Sequence, residues 1–371
     1  MNKGFIAALH DLEEEKGIEA SVILEALEAA LISAYKKNYD SLMNVDVHID
    51  AETGDIQVLS TKEVVDDVTS PQTEICLEDA RLIKDDVEIG NLVQVEEQPK
   101  NFGRIAAQTA KQVVVQRIRE AERGRVYNEF SGKETEIISG AIDRIESGVC
   151  YIKLNKTEAV LPVGEQIPSE EYYVGKRIKA CIIDVRKATA RGQERGPQVV
   201  ISRRHPMLLT RLFEMEVPEI KDGYVTIKSV AREPGMRSKI AVASSDEDID
   251  AVGSCVGSNG GRVRVIVDEL CGEKIDIINW DESPDIYIAE ALSPSLVIDV
   301  LIDEENKIAS VVVPDNQLSL AIGKEGQNVR LAARLTNWKI DIKSREQADE
   351  QGISYNYIFC DKEDCESDED A

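Results

Sequence analysis

Two four-residue strings in the C-terminal half have the makings of an anion clamp: Gly257-Ser258-Asn259-Gly260 and Gly323-Lys324-Glu325-Gly326. Glycine lacks a Cβ, so a Gly-x-x-Gly turn brings its backbone close to a phosphate. A helix starting directly after such a turn aims its partial positive end at the same point. Cations are few. Arg262 and Arg264 follow the first string, Arg330 and Arg334 follow the second, and Lys324 is offset by Glu325. Few neutralised phosphates mean a shallow salt dependence. A single Gly-x-x-Gly would read as an ordinary helix turn.

The surrounding elements change that balance. The two strings begin 66 residues apart, at 257 and 323, and Lys-Ile-Asp-Ile recurs at 274 and 339. Each copy predicts strand, strand, short helix, glycine loop, helix, strand. In the first copy the strands fall at 224–230, 239–243 and 274–278, and the helix after the loop at 262–270. In the second the strands fall at 296–302, 307–313 and 338–342, with helices at 316–321 and 328–335. A short helix precedes each copy, at 208–215 and 286–292. This is the order of a type II KH unit, in which the loop clamps about four nucleotides of single-stranded RNA. The units span 207–282 and 285–345.

Upstream, residues 134–203 alternate short β-rich runs with Gly and Pro: 136–142, 149–154, 159–162, 177–185 and 198–202. Five such strands predict an OB-fold barrel, which the family resemblance given below implies to be of the S1 type. Tyr151 alternates with Val149 and Lys153 and would present a ring for base stacking, worth ~1–3 kcal/mol per base. Its plainer reading is core packing. Lys176, Arg177 and Lys179, with Arg203 and Arg204, suit backbone phosphates; their plainer reading is a solvated basic face. The loop 186–196 carries four further cations.

Residues 1–130 read as an acidic α+β domain with a long connector helix. Val22, Ile23, Ala26, Leu27, Ala30, Leu31 and Tyr35 recur at helical spacing, with Ser21 a possible cap. Val45, Val47 and Ile49 alternate as a strand, and the turn at 52–55 leads into its return strand with Ile56 and Val58. A strand at 92–95 follows, then a helix from about 104 to 122 that ends near Gly124. The fold class is therefore multidomain α+β: this domain, a five-stranded barrel and two tandem KH units.

The formal net charge is −26, which disfavours a free-standing nucleic-acid binder. It is unevenly spread: −15 over 1–100, +7 over 101–213, −9 over 214–345 and −9 over 346–371. Such asymmetry suits different partners for different segments. The acidic stretch 346–371 is expected to be a disordered tail. At 42% hydrophobic residues the rest of the chain can bury cores. No apolar run reaches the ~20 residues that span a membrane, and the N-terminus lacks a signal pattern, so a cytoplasmic protein is expected. The seven cysteines form no Cys-x-x-Cys pair and read as reduced, with Cys360 and Cys365 as solvated thiols. Three scattered histidines leave little for a zinc site. No catalytic constellation, metal or cofactor is expected.

The chain resembles the NusA family of bacterial transcription factors. The strings that carry the likeness are Phe102 to Lys111 in the connector helix, Leu161 to Pro168 in the barrel, Ser229 to Glu233 entering the first KH unit and Gln317 to Lys324 entering the second loop. The resemblance covers residues 1–345 or so. It implies a monomer that joins core RNA polymerase near its RNA exit channel through the N-terminal domain. The barrel and KH units would hold the nascent transcript, promoting pausing and termination, or antitermination with other elongation factors. Two departures matter. The first loop carries Ser258-Asn259 where the family usually has Pro-Lys, which weakens the expected phosphate contact. Some members also carry acidic helical repeats that contact the polymerase α subunit; the sequence stops at Ala371 without them, so that contact is not expected.

Two rival readings remain at this stage. Phosphorolytic RNA-degrading enzymes also carry KH and S1-type modules, but residues 1–130 are too short for their catalytic core. A protein-only adaptor with degenerate KH units is motivated by the weak loop charge.

Overall fold

The computed structural model describes residues 3–38, 44–84, 86–97, 102–155, 157–187, 199–246 and 248–360. The chain divides into two compact units, 1–129 with 187–194, and 130–186 with 195–371.

In the first unit, α1 (Lys3–Lys16) and α2 (Ala20–Asn38) precede a four-stranded sheet. The strands are β1 (Asn44–Ile49), β2 (Ile56–Val65), β3 (Glu74–Cys76) and β4 (Leu92–Glu97), with α3 (Leu77–Ile83) after β3. The central strand β2 pairs antiparallel with β1 and β4 and parallel with β3. Ile23, Leu27, Leu31 and Tyr35 recur every fourth residue and are the buried face of α2. Leu27, Leu31 and Tyr35 pack on Val45, Val47, Ile49 and Val58 of the sheet and on Phe102, Ala106 and Ala110 of α4 (Phe102–Phe130). Ser21 lies inside α2 rather than at its cap, because the helix begins at Ala20. The helix α4 runs straight through Gly124, where a stop was expected. A mid-helix Gly costs only about 1 kcal/mol relative to Ala, and the turn comes instead at Gly132, which has φ +84°.

The second unit opens with β5 (Ile137–Glu146), β6 (Val149–Lys153), β7 (Glu158–Leu161), β8 (Arg177–Val185) and β9 (Val199–Ser202). They close in the order β5-β6-β7-β9-β8, with β7 and β9 parallel. This is the expected five-stranded barrel.

The first repeat follows: α5 (Pro206–Glu216), α6 (Pro218–Lys221), β10 (Val225–Glu233), β11 (Arg237–Ser244), α7 (Ala251–Val256), α8 (Gly261–Glu269) and β12 (Lys274–Asn279). The second contains α9 (Pro284–Ala291), β13 (Asp299–Asp303), β14 (Ile308–Val313), α10 (Leu318–Ile322), α11 (Gln327–Thr336) and β15 (Lys339–Ser344). In each repeat the first two strands are antiparallel and the third runs parallel to the second. The cores are shared. Ile167 and Cys181 of the barrel pack with Leu208, Phe213 and Ile240 of the first repeat. Ala231, Ala241 and Ile278 of the first repeat pack with Ile288, Val311 and Leu331 of the second.

The structure continues past Arg345, where the fold was expected to end. Ser344 and Gln347 form a capping box for α12 (Arg345–Glu350). Ala348 of that helix, with Ile353, Tyr355 and Tyr357, covers Ile298 and Val312. Apolar residues alternate through 353–357 and supply the burial that the acidic composition concealed. Residues 361–371, the last part of the expected disordered tail, lie outside the described residues. Cys76, Cys150, Cys181, Cys255 and Cys271 are free thiols, whereas Cys360 is disulfide-bonded rather than the solvated thiol expected.

Candidate nucleic-acid interface

The two glycine loops have one backbone shape built on different side chains. Gly257 and Gly323, the leading glycines, lie at φ 72°, ψ 173° and φ 76°, ψ 170°. Asn259 and Glu325 both adopt the left-handed region, at φ 54°, ψ 32° and φ 55°, ψ 27°. Gly260 and Gly326 follow at φ 71° with ψ 17° and 20°. The leading glycine is fixed twice over. Its backbone region is essentially closed to other residues, and a Cβ there would meet a side chain of the following helix. At Gly257 it would lie 2.7 Å from Arg262 Cγ, and at Gly323 2.8 Å from both Cβ and N of Asn328. The trailing glycine is fixed by its positive φ alone, since a Cβ on Gly326 would meet nothing within 4 Å.

No side chain caps α8 or α11. Their first-turn N–H groups follow directly on the turn, as an anion site requires. Ser258, Asn259, Lys324 and Glu325 are exposed. So is Arg264, which makes no ion pair among the described residues. Arg262 instead lies beneath its loop and donates Nη1 to Glu219 at 2.8 Å. Arg330 is tied to Glu233 at 2.6 Å. The expected loop residues thus form two sets: Lys324 and Arg264 face solvent, while Arg262 and Arg330 are engaged within the protein.

The barrel cations divide in the same way. Arg177 is exposed. Lys176 donates Nζ to Glu170 at 3.0 Å and to the Glu171 carbonyl at 2.7 Å, and Lys179 lies 3.8 Å from Glu269. Arg203, expected among the solvated cations, is buried. Its guanidinium donates to both carboxylate oxygens of Glu170 at 2.9 Å and to Oε1 of Glu269 at 2.8 Å. Burial alone would raise the Glu170 carboxyl, but the Arg203 charge and hydrogen bonds from Tyr172, Arg203 and Lys176 outweigh it and hold the group below the ordinary carboxylate range. The available sequence signal is the apolar run Val199-Val200-Ile201, which ends with Ser202 directly before Arg203. Arg204 remains near the surface, donating to the Gly164 carbonyl at 3.0 Å.

Tyr151 is half-buried on β6 with the Arg144 guanidinium 4.0 Å from its ring centroid. Arg144 is in turn held by Glu158 and Glu146. One ring face is therefore covered by a fixed cation. The expected cations at 191 and 195 lie outside the described residues.

Burial pushes the Cys181 thiol up to about 11 and the Cys255 thiol up to about 12, so neither is a thiolate near neutral pH. Among the described residues no cluster of three or more His, Cys, Asp and Glu is placed to hold a metal ion, and no helix is long and apolar enough to cross a membrane.

A closed five-stranded barrel joined to two αββααβ repeats with matched glycine loops defines a tandem-KH protein with an OB-type barrel. Family models agree with that architecture: the NusA N-terminal domain matches residues 4–124, the NusA-like first KH domain 203–280 and the NusA-like second KH domain 284–350. The chain is 54% identical to the transcription termination/antitermination protein NusA of Bacillus subtilis, covering 100% of both chains. It is 54% identical to that of Halalkalibacterium halodurans, over 95% of this chain and 91% of the relative. The protein of the same name from Thermus thermophilus is 39% identical, over 94% and 92%. The chain belongs to the NusA family of transcription termination/antitermination proteins.

Proposed function

We propose that this protein is a non-enzymatic transcription factor that holds nascent single-stranded RNA through its second unit and core RNA polymerase through its acidic first unit. The observation that carries the RNA reading is the pair of glycine loops with matching backbone angles, each leading into a helix that no side chain caps. Of the expected site residues, Lys324, Arg264 and Arg177 are exposed and make no ion pair among the described residues, so they are placed to meet phosphates, and the Tyr151 ring is the surface for a base. The polymerase reading is supported by the role in transcription termination and antitermination that the relatives' name prints, and by the net charge of −15 over residues 1–100, which suits protein rather than RNA. Docking near the RNA exit channel would place the emerging transcript on the loops. There the protein would act as a cytoplasmic monomer, modulating pausing, termination and, with other factors, antitermination.

The test has two arms. Changing Ser258-Asn259 and Lys324-Glu325 each to Asp-Asp puts negative charge where phosphate should lie and is expected to abolish transcript binding; unchanged binding would favour the adaptor alternative. A truncation starting near Lys133 is expected to keep RNA binding and lose polymerase binding. Polymerase retained by that fragment would refute the division of roles.

A further inference from the structure

Arg264 and Arg330 are equivalent positions of the repeat, each seven residues after its leading glycine. Their surroundings differ. Arg264 faces solvent. Arg330 donates Nε to Oε1 of Glu233 at 2.6 Å and Nη2 to Oε2 at 3.3 Å, while Gln327 donates Nε2 to Oε2 at 2.8 Å. Arg334 adds charge 3.8 Å away. Glu233 belongs to the first repeat, as the last residue of β10. Its carboxylate thus fills a two-point anion site made by a guanidinium and an amide on the first turn of α11. The site adjoins the second glycine loop, because Arg330 Nη1 also donates to the Glu325 carbonyl at 3.2 Å.

We propose that this site is a phosphate subsite of the second loop, that Glu233 occupies it as a built-in stand-in for phosphate, and that bound RNA displaces Glu233 from Arg330. The inference rests on the RNA-binding reading above. A guanidinium presents the same fork of donors to carboxylate and to phosphate, so the two compete for one geometry. Glu233 is held to the charged side by the Arg330 hydrogen bond, with burial opposing and Gln327 assisting, so near neutral pH it competes as an anion. Exchange is accessible from the Arg330 side, whose side chain is 44% exposed against 14% for Glu233, so an incoming phosphate meets the guanidinium before the carboxylate leaves. Glu233 thereby sets the affinity of the second loop from within the first repeat.

The experiment uses the full chain and a labelled random-sequence single-stranded RNA, with affinity followed by fluorescence anisotropy across a salt series. Glu233→Gln is expected to tighten binding about threefold at low salt and to leave the log–log salt slope unchanged, because the Arg330–phosphate contact forms in both proteins and only its competitor is removed. The double variant Glu233→Gln with Arg330→Gln is expected to lose that gain. Binding by Glu233→Gln equal to or weaker than the unmutated protein overturns the proposal. A gain that survives in the double variant overturns it too, since removed repulsion would then explain everything. Independently of any variant's packing, the Arg330 Nε–H resonance of the unmutated protein is expected to shift when RNA is added; a resonance that stays put refutes displacement. An unmutated chain that binds no RNA defeats the underlying reading, whereas RNA binding with an inert Glu233 defeats this inference alone.

Discussion

Arg203 grips Glu170 with two hydrogen bonds of 2.9 Å, and both side chains are buried, at 1% and 0% exposure. The same guanidinium donates to the Glu269 side chain and, at 2.7 Å, to the Glu269 carbonyl at the end of α8. One arginine therefore ties the barrel to the helix that follows the first glycine loop. Removing one partner of a buried pair strands the other, at a cost of about 3–5 kcal/mol. Arg203→Met is expected to destabilise the second unit by that amount in urea unfolding, and a loss under about 1 kcal/mol would show the pair to be as dispensable as a surface one.

The same pair predicts a direction of pH dependence. The folded Glu170 carboxyl titrates below its unfolded value, near 4.3. Its contribution is thus present above that pH and is lost as pH falls through the folded value. Glu170→Gln is expected to flatten the acid limb of the stability curve, read from urea midpoints between neutral and acid pH. An acid limb identical to that of the unmutated protein would remove Glu170 from the account.

The glycines of one loop are not equivalent. Gly323→Ala places a Cβ 2.8 Å from the Asn328 backbone N in a backbone region reserved for glycine, so a cost of about 1–3 kcal/mol or more is expected. Gly326→Ala meets open space and carries only the left-handed penalty, about 1–2 kcal/mol. Thermal unfolding of the two variants should rank them in that order; the reverse order would contradict the loop geometry.

Charge accessibility ranks the cations. Lys324→Ala and Arg264→Ala are each expected to reduce the salt slope of RNA binding by about 0.7. Lys176→Ala should leave the slope alone, because its ammonium is spent on Glu170 and Glu171. A slope change at Lys176 as large as at Lys324 would show that these internal bonds open on binding.

The repeat, the barrel and their order were legible because each rests on local periodicity and glycine spacing. The strand at 177–185 was placed to the residue. What sequence could not separate was a cation facing water from one facing a carboxylate. Arg203 and Arg204 are adjacent and alike, yet one is buried against Glu170, 33 residues away, and the other reaches only the Gly164 carbonyl. Arg264 and Arg330 are equivalent by repeat, yet the partner that distinguishes them lies 97 residues from Arg330. Long-range pairing leaves no trace in spacing. The helix at Arg345–Glu350 was missed for a different reason: the acidic composition of the last segment hid the alternating apolar residues that bury it.

Gly257 and Gly323 lead into loops of one shape through Ser-Asn in one case and Lys-Glu in the other, so the contour rests on the two glycines and on one left-handed interior residue, Asn259 or Glu325, whose identity is free to differ. The two interior positions are then an exchangeable cassette. Swapping the dipeptides between repeats should move a lysine from one loop to the other while shifting the left-handed strain of a glutamate, about 1–2 kcal/mol, from position 325 to position 259, so charge can migrate between the repeats with the total cost nearly conserved.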